Sequence, residues 1–124
     1  MCPLAPAPSR DRARERERRS REGWREGYGP EYRKARNAAL ERSQGLCEAT
    51  GEPVFRRTSR GWRKIARDFG GTHHVVPLSR GGTNDPSNIV VLCARAHGAA
   101  HSAACEGASS APALLCRIRE VLGC

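Results

Sequence analysis

Residues 73–101, HHVVPLSRGGTNDPSNIVVLCARAHGAAH, contain all four histidines of the chain. His73 and His74 stand in a short strand-like run, where adjacent side chains point to opposite faces. His97 and His101 are four residues apart in an Ala-rich segment that predicts a helix, so they share one helix face. Two imidazoles at this spacing can bind one metal ion. The pattern predicts a metal site toward which one histidine of the first pair also turns.

A loop and a strand separate the two histidine pairs. Residues 79–88 are rich in Gly, Asn, Ser and Asp-Pro, which is typical of turns, and residues 89–93, IVVLC, predict a β-branched strand. Strand, loop, strand and helix together predict a small α+β unit over about residues 72–105. Gly81 and Gly82 allow positive φ and a close approach to a nucleic-acid backbone, with an ordinary hairpin loop as an equal alternative.

This stretch resembles the HNH endonucleases, whose core is a ββα-metal motif. The family's pattern has Asp/His-His, a Pro three residues on, a Gly-Gly loop, an Asn that opens the second strand and a His on the following helix. The matching residues here are His73-His74, Pro77, Gly81-Gly82, Asn88 and His97. The lead-in ALERSQGLCEATGEP also resembles the helix-then-cysteine segment of the family. The resemblance covers about residues 30–105 and implies a divalent-metal-dependent endonuclease that hydrolyses phosphodiester bonds in DNA.

The resemblance also implies roles for individual residues. His74 is the general base, and Asn88 orients His74 or approaches the metal. The implied metal ligands are His73, His97 and His101, the last of which resembles the third histidine ligand of colicin-type members. A neutral imidazole titrates near pH 7 and can activate water. Because a histidine-rich set suits Zn²⁺, Ni²⁺ or Mn²⁺ as well as Mg²⁺, we expect one divalent ion and leave its identity open.

Many HNH proteins also hold a structural zinc with two C-x-x-C pairs, and here both pairs are incomplete. Cys47 is followed by Thr50, and Cys93 is followed by Ala96, so each pair keeps only its first cysteine. Two thiolates cannot complete a tetrahedral zinc site, although Cys105 could substitute for one of the missing ligands. We therefore expect no structural zinc, and expect Cys47 and Cys93 to pack as small buried hydrophobes.

The chain is short and strongly basic. It has 124 residues, a net charge of +9, and 22 Lys and Arg residues, of which only Lys34 and Lys64 are lysine. Arginine makes bidentate phosphate contacts and stacks on bases, so nucleic acid is the expected partner, with codon bias as the alternative. The candidate nucleic-acid contacts are Arg63, Lys64, Arg80 and Arg95.

Apolar runs are too short for a transmembrane helix, and the first residues lack the apolar region of a signal peptide. The six cysteines have no disulfide-scaffold spacing. These features predict a cytoplasmic protein with no membrane partner. Small free-standing HNH proteins are common in bacteriophages and bacteria, some beside DNA-packaging genes. The resemblance thus implies a bacterial or phage-infected cell, and a protein partner such as the DNA-packaging machinery that directs cleavage.

The chain divides into two predicted regions. Residues 1–29 have no apolar face and predict a disordered basic arm, whereas residues 30–124 are the predicted nuclease domain. Helices are expected at 30–44, over 94–105 and at about 112–122.

Residues 55–71 connect the first predicted helix to the histidine segment. Trp62, Ile65 and Phe69 lie at i, i+3 and i+7, which favours a short helix, with a hairpin as the alternative. We expect Trp62 and Phe69 to pack in the core rather than to stack on bases.

Two other functions compete with the nuclease. A catalytically inactive HNH-like DNA-binding module is favoured by the incomplete cysteine pairs. It is disfavoured by the intact set of His73, His74, Asn88 and His97, which binding alone would not need. A histidine-based metal-binding protein without nuclease activity is disfavoured by the high arginine content.

Overall fold

A computed structural model describes residues 29–124, so the predicted basic arm lies outside the described residues except for its last one. The described residues form three α-helices and two two-stranded antiparallel sheets. In chain order these are α1 Pro30–Ser43, β1 Phe55–Thr58, β2 Gly61–Lys64, β3 Gly71–His74, β4 Ile89–Leu92, α2 Ala94–Ala100 and α3 Ala111–Leu122. The predicted α+β class is confirmed. None of the helices between residues 29 and 124 is long and apolar enough to cross a membrane.

The strands β3 and β4 and the helix α2 form a central ββα unit. β3 pairs with β4 in antiparallel register, with His73 opposite Val90 and His74 opposite Ile89. All four residues of β4 are buried, because α1 and α2 pack against this strand. Cys93 then joins β4 directly to α2. The unit thus brings the strand that carries one histidine pair beside the helix that carries the other.

The predicted helices at 30–44 and 112–122 are both present. α1 begins with Pro30, whose missing N–H costs nothing at the first helical position. It buries Ala35, Ala39 and Leu40 against the core. The third predicted helix, over 94–105, is shorter than expected: α2 ends at Ala100, and a separate 3-10 turn covers Ala103–Cys105.

Residues 55–64 form a β-hairpin, so the favoured helix prediction for this region is wrong and its hairpin alternative is right. Phe55 is 4% exposed and packs in the core, and Trp62 packs partly buried beside it. Ile65 is 52% exposed and Phe69 is 86% exposed, so the helical spacing of the apolar residues does not mark a buried face. The expectation that Phe69 lies in the core is therefore also wrong.

Arg42 and Glu48 hold β4 in place from the side of α1. The Arg42 guanidinium donates to the backbone oxygen of Pro86 at 2.9 Å and to that of Ile89 at 2.6 Å. Glu48 Oε1 accepts from Arg42 at 2.6 Å and from the Val91 backbone N–H at 3.0 Å. Both ends of β4 are thereby fixed by charge-assisted hydrogen bonds.

Candidate metal centre

Three histidines from two elements meet at one point. His73 comes from β3, His97 lies in α2, and His101 follows the end of α2. One ring nitrogen from each lies within 4.8 Å of the other two. The rings meet edge to face, with centroids 5.3 Å apart for His73 and His97, 5.2 Å for His73 and His101, and 4.7 Å for His97 and His101. The structure therefore brings all three predicted ligands together.

The surroundings of His73 and His97 favour their neutral imidazoles. Burial, and then the charges of His97, His101 and His74, lower the pKa of His73 to about 4. Burial, followed by the charges of His101 and Lys64, also lowers the pKa of His97. Neutral imidazole is the form that binds metal ions, so the cluster is ready to bind one at neutral pH. Three converging imidazoles therefore fit a divalent transition-metal ion.

His74 follows His73 in β3 but lies in a different environment. Its Nε2 is 2.8 Å from Oδ1 of Asn84, and its ring stacks on Tyr32 with centroids 5.6 Å apart and an interplanar angle of 27°. Tyr32 is itself hydrogen-bonded to Thr72 at 2.8 Å. Two residues that the sequence did not single out, Asn84 and Tyr32, thus hold the ring of His74.

Within residues 29–124, the side chain of Asn88 bonds to backbone groups rather than to His74. Its Oδ1 accepts from the Val76 N–H at 2.9 Å, and its Nδ2 donates to the backbone oxygens of Val76 at 3.0 Å and Thr83 at 2.8 Å. These three bonds tie the loop that carries Asn84 to the end of β3. Asn88 therefore fixes the loop, and the loop presents Asn84 to His74.

The Gly-Gly turn packs on the chain itself. A Cβ atom at Gly82 would overlap the backbone oxygen of Val76, and Gly81 has a φ of 87°. The close approach that Gly82 permits is therefore made to Val76, which agrees with the hairpin-loop alternative. The exposed Arg80 precedes them and lines a groove of about 740 Å³ together with His73 and His101.

The four predicted nucleic-acid contacts lie in different surroundings. Arg63 is exposed on β2, directly opposite Arg56 of β1. Lys64 donates to the Asp68 backbone oxygen at 2.6 Å. Arg95 donates to Glu52 at 2.9 Å, and this bond raises the pKa of its guanidinium. Arg80 and Arg63 therefore point cations outward, whereas Arg95 is engaged in an ion pair.

Cys47 and Cys93 both lie in the hydrophobic core, at 2% and 8% exposure. The hydroxyl of Thr50 is 3.6 Å from Sγ of Cys93, and Ala96 is fully buried. Each pair lacks its second cysteine: the hydroxyl of Thr50 fills one of these positions, and the methyl group of Ala96 fills the other. We call these four residues the cysteine cluster.

The ββα unit with a histidine cluster is the architecture of HNH nucleases, and comparison with known proteins agrees. Residues 62–103 match the family model of the HNH endonucleases. A stretch of 64 residues is 33% identical to the type IV methyl-directed restriction enzyme EcoKMcrA of Escherichia coli (strain K12). The match covers 50% of this chain and 21% of that enzyme, so the chain spans about a fifth of its relative's length.

Proposed function

We propose that the protein is a divalent-metal-dependent endonuclease that hydrolyses phosphodiester bonds in DNA. The observation that carries this proposal is the convergence of His73, His97 and His101 within 4.8 Å, with His74 as the next residue of the same strand. DNA binding alone uses neither a metal-ligand set nor a fourth, separately held histidine. Phosphodiester hydrolysis can use a metal ion as Lewis acid and an imidazole as general base.

The residues divide the chemistry between them. His73, His97 and His101 would hold the ion, which when bound supplies a Lewis acid for the charge that develops on the phosphate. His74 accepts the proton of the attacking water as general base. With Nε2–H donated to Asn84, the lone pair of the neutral ring is on Nδ1. Asn84 and Tyr32 keep the ring in one orientation, so the base does not have to reorganise during the reaction.

The charge distribution supports DNA as the substrate. Arg56 and Arg63 stand directly opposite each other in the hairpin, where like charges repel unless an anion lies over them. Arg80 adds a cation at the edge of the groove beside His73 and His101. A relative that is a restriction enzyme favours DNA over RNA.

The proposed setting is the cytoplasm of a bacterial or phage-infected cell. There a protein partner directs the cut.

A plasmid-cleavage assay tests the proposal. The full chain should convert supercoiled plasmid to nicked or linear forms with one or more of Mg²⁺, Mn²⁺, Ni²⁺ and Zn²⁺, and EDTA should abolish this activity. His74→Ala should reduce the rate by about 10²–10⁴-fold with metal and DNA affinity unchanged. Asn37→Ala, an exposed change on α1, is the control. Plasmid left intact with every ion, while DNA is still bound, would instead identify an inactive DNA-binding module.

A further inference from the structure

Phe69 is an aromatic residue that projects into solvent. It is 86% exposed and lies between β2 and β3, in the segment that enters the metal centre. A single exposed apolar side chain is common on proteins and has no meaning by itself. The backbone contacts on both sides of Phe69 and the arginines near it in the chain add further observations.

Two contacts fix the backbone on both sides of Phe69. Lys64 Nζ donates to the Asp68 backbone oxygen at 2.6 Å, and the Gly70 N–H donates to Asp68 Oδ1 at 2.9 Å. Gly70 lies so close to the start of α2 that a Cβ atom there would be 2.9 Å from the Ala94 nitrogen. Phe69 is therefore displayed from a backbone that is held against the ββα unit.

The same contacts place the backbone next to Phe69 close to the start of α2, the helix that carries His97. The Gly70 backbone abuts Cys93 and Ala94, and His97 donates its N–H to the Cys93 oxygen at 2.8 Å, one helical turn further on. Lys64, which binds Asp68, also lies close enough to His97 for its charge to act on that ring. An anionic strand at the histidine cluster would thus pass within reach of Phe69.

Three arginines lie along the segment of chain that leads to Phe69. Arg60, Arg63 and Arg67 are exposed, and none of them forms an ion pair with another residue of the described range 29–124. Nucleic acid offers both phosphates for such cations and π-faces for an aromatic ring. A second copy of this chain, with its own charge of +9, would be repelled from the same surface.

We propose that Phe69 inserts at a base step of duplex DNA and unstacks it next to the bond that is cut. This inference rests on the proposed function, because it takes the DNA to lie across the histidine cluster. Apolar wedges that enter a duplex cost unstacking energy, which surrounding phosphate contacts offset. Flexible pyrimidine–purine steps cost least to unstack, so cleavage should favour positions next to TA and CA/TG steps.

Binding of the full chain to duplexes that contain 2-aminopurine, in EDTA so that nothing is cut, tests the inference. Wild-type protein should raise the fluorescence at one step, because the probe brightens when it is unstacked. Phe69→Ala should abolish this rise and weaken binding roughly tenfold, while Phe69→Trp should retain both. The slope of log affinity against log salt should not change in Phe69→Ala, because no phosphate contact is lost. Val121→Ala, an exposed apolar change on α3, is the matched control and should have no effect.

The inference is overturned if Phe69→Ala binds with wild-type affinity and wild-type fluorescence. It is equally overturned if the variant changes only the sedimentation of the free protein, because Phe69 would then contact a second copy. The assay contains no divalent ion, so its outcome is separate from the cleavage test. A protein that unstacks the duplex but never cuts it would refute the proposed function and leave the role of Phe69 intact.

Discussion

The histidine cluster and the cysteine cluster both take a residue from the same short helix, α2. Cys93 stands at the N-cap of α2 and Ala96 is fully buried, so both of these residues belong to the core. His97, the next residue, is partly exposed and faces His73 and His101. One helix of seven residues thus contributes a residue to each of the two clusters.

The two clusters differ in what their side chains offer to a metal ion. At the cysteine cluster, Thr50 and Ala96 fill the space with a hydroxyl and a methyl group, and the core stays continuous around Cys47 and Cys93. A structural site mainly provides cohesion, which buried apolar groups can also provide. The histidine cluster offers converging lone pairs, and no apolar packing can substitute for them.

The largest effect is expected from rebuilding the cysteine cluster. Thr50→Cys together with Ala96→Cys should give the protein one additional tightly bound Zn²⁺, because four thiolates complete a tetrahedral site. Structural zinc in small domains binds with apparent free energies of about 10–16 kcal/mol. Metal analysis after dialysis measures the stoichiometry, and the double change to Ser at the same positions is the matched control. An unchanged metal content would mean that the cluster has lost the geometry as well as the ligands.

The two clusters should respond in opposite ways to removal of one side chain. His97→Ala should weaken binding of a divalent ion by more than about 100-fold, because even residues that only orient a ligand cost 10–100-fold. Cys93→Ala should leave that affinity unchanged and lower the free energy of unfolding by about 1 kcal/mol through the lost sulfur packing. Calorimetric titration and chemical denaturation of both variants measure this. Equal metal affinities in the two variants would remove His97 from the ligand set.

The sequence predicted the strands and the helix of the ββα unit better than it predicted the long-range hydrogen bonds that hold them in place. The spacing of His97 and His101 is a local property of a helix, and the alternation of a strand separates His73 from His74, so both are readable without a structure. Asn84 reaches His74 across ten residues of loop, and Arg42 reaches Ile89 from another helix. Such long-range partners have no periodicity in the sequence.

The helix prediction for residues 55–71 failed for a related reason. Trp62, Ile65 and Phe69 satisfy the helical period, but only Trp62 packs against the core. Its indole N–H donates to Glu41 of α1 at 3.2 Å, and Trp62 itself pairs with Arg57 in the hairpin. The helical spacing of apolar residues alone does not show which of them will pack against the core.

Asn84→Ala tests whether the support of His74 matters separately from the metal. We expect cleavage to slow by about 10–100-fold, as for other residues that orient a functional side chain, with affinity for the divalent ion unchanged. Rate constants at saturating metal and DNA measure the first effect, and calorimetric titration measures the second. If Asn84→Ala also weakened metal binding, the loop that carries Asn84 would contribute to metal affinity, and its effect could not be separated from that of the histidine cluster.

The pH dependence of stability in the metal-free protein also separates the two clusters. The pKa of His73 falls from an ordinary value of 6.5 to about 4 on folding. Below pH 6.5 the unfolded chain therefore binds a proton that the folded chain excludes until about pH 4. The contribution of the neutral ring to stability is present in full above pH 6.5 and is lost as the pH falls from 6.5 to 4.

Thermal unfolding in EDTA across this range should show Tm falling with acidity, and His73→Asn should make the fall shallower. Thiols remain protonated throughout this range, so Cys93→Ala should lower Tm by a similar amount at every pH. A fall that His73→Asn leaves equally steep would assign the acid sensitivity to groups outside the histidine cluster.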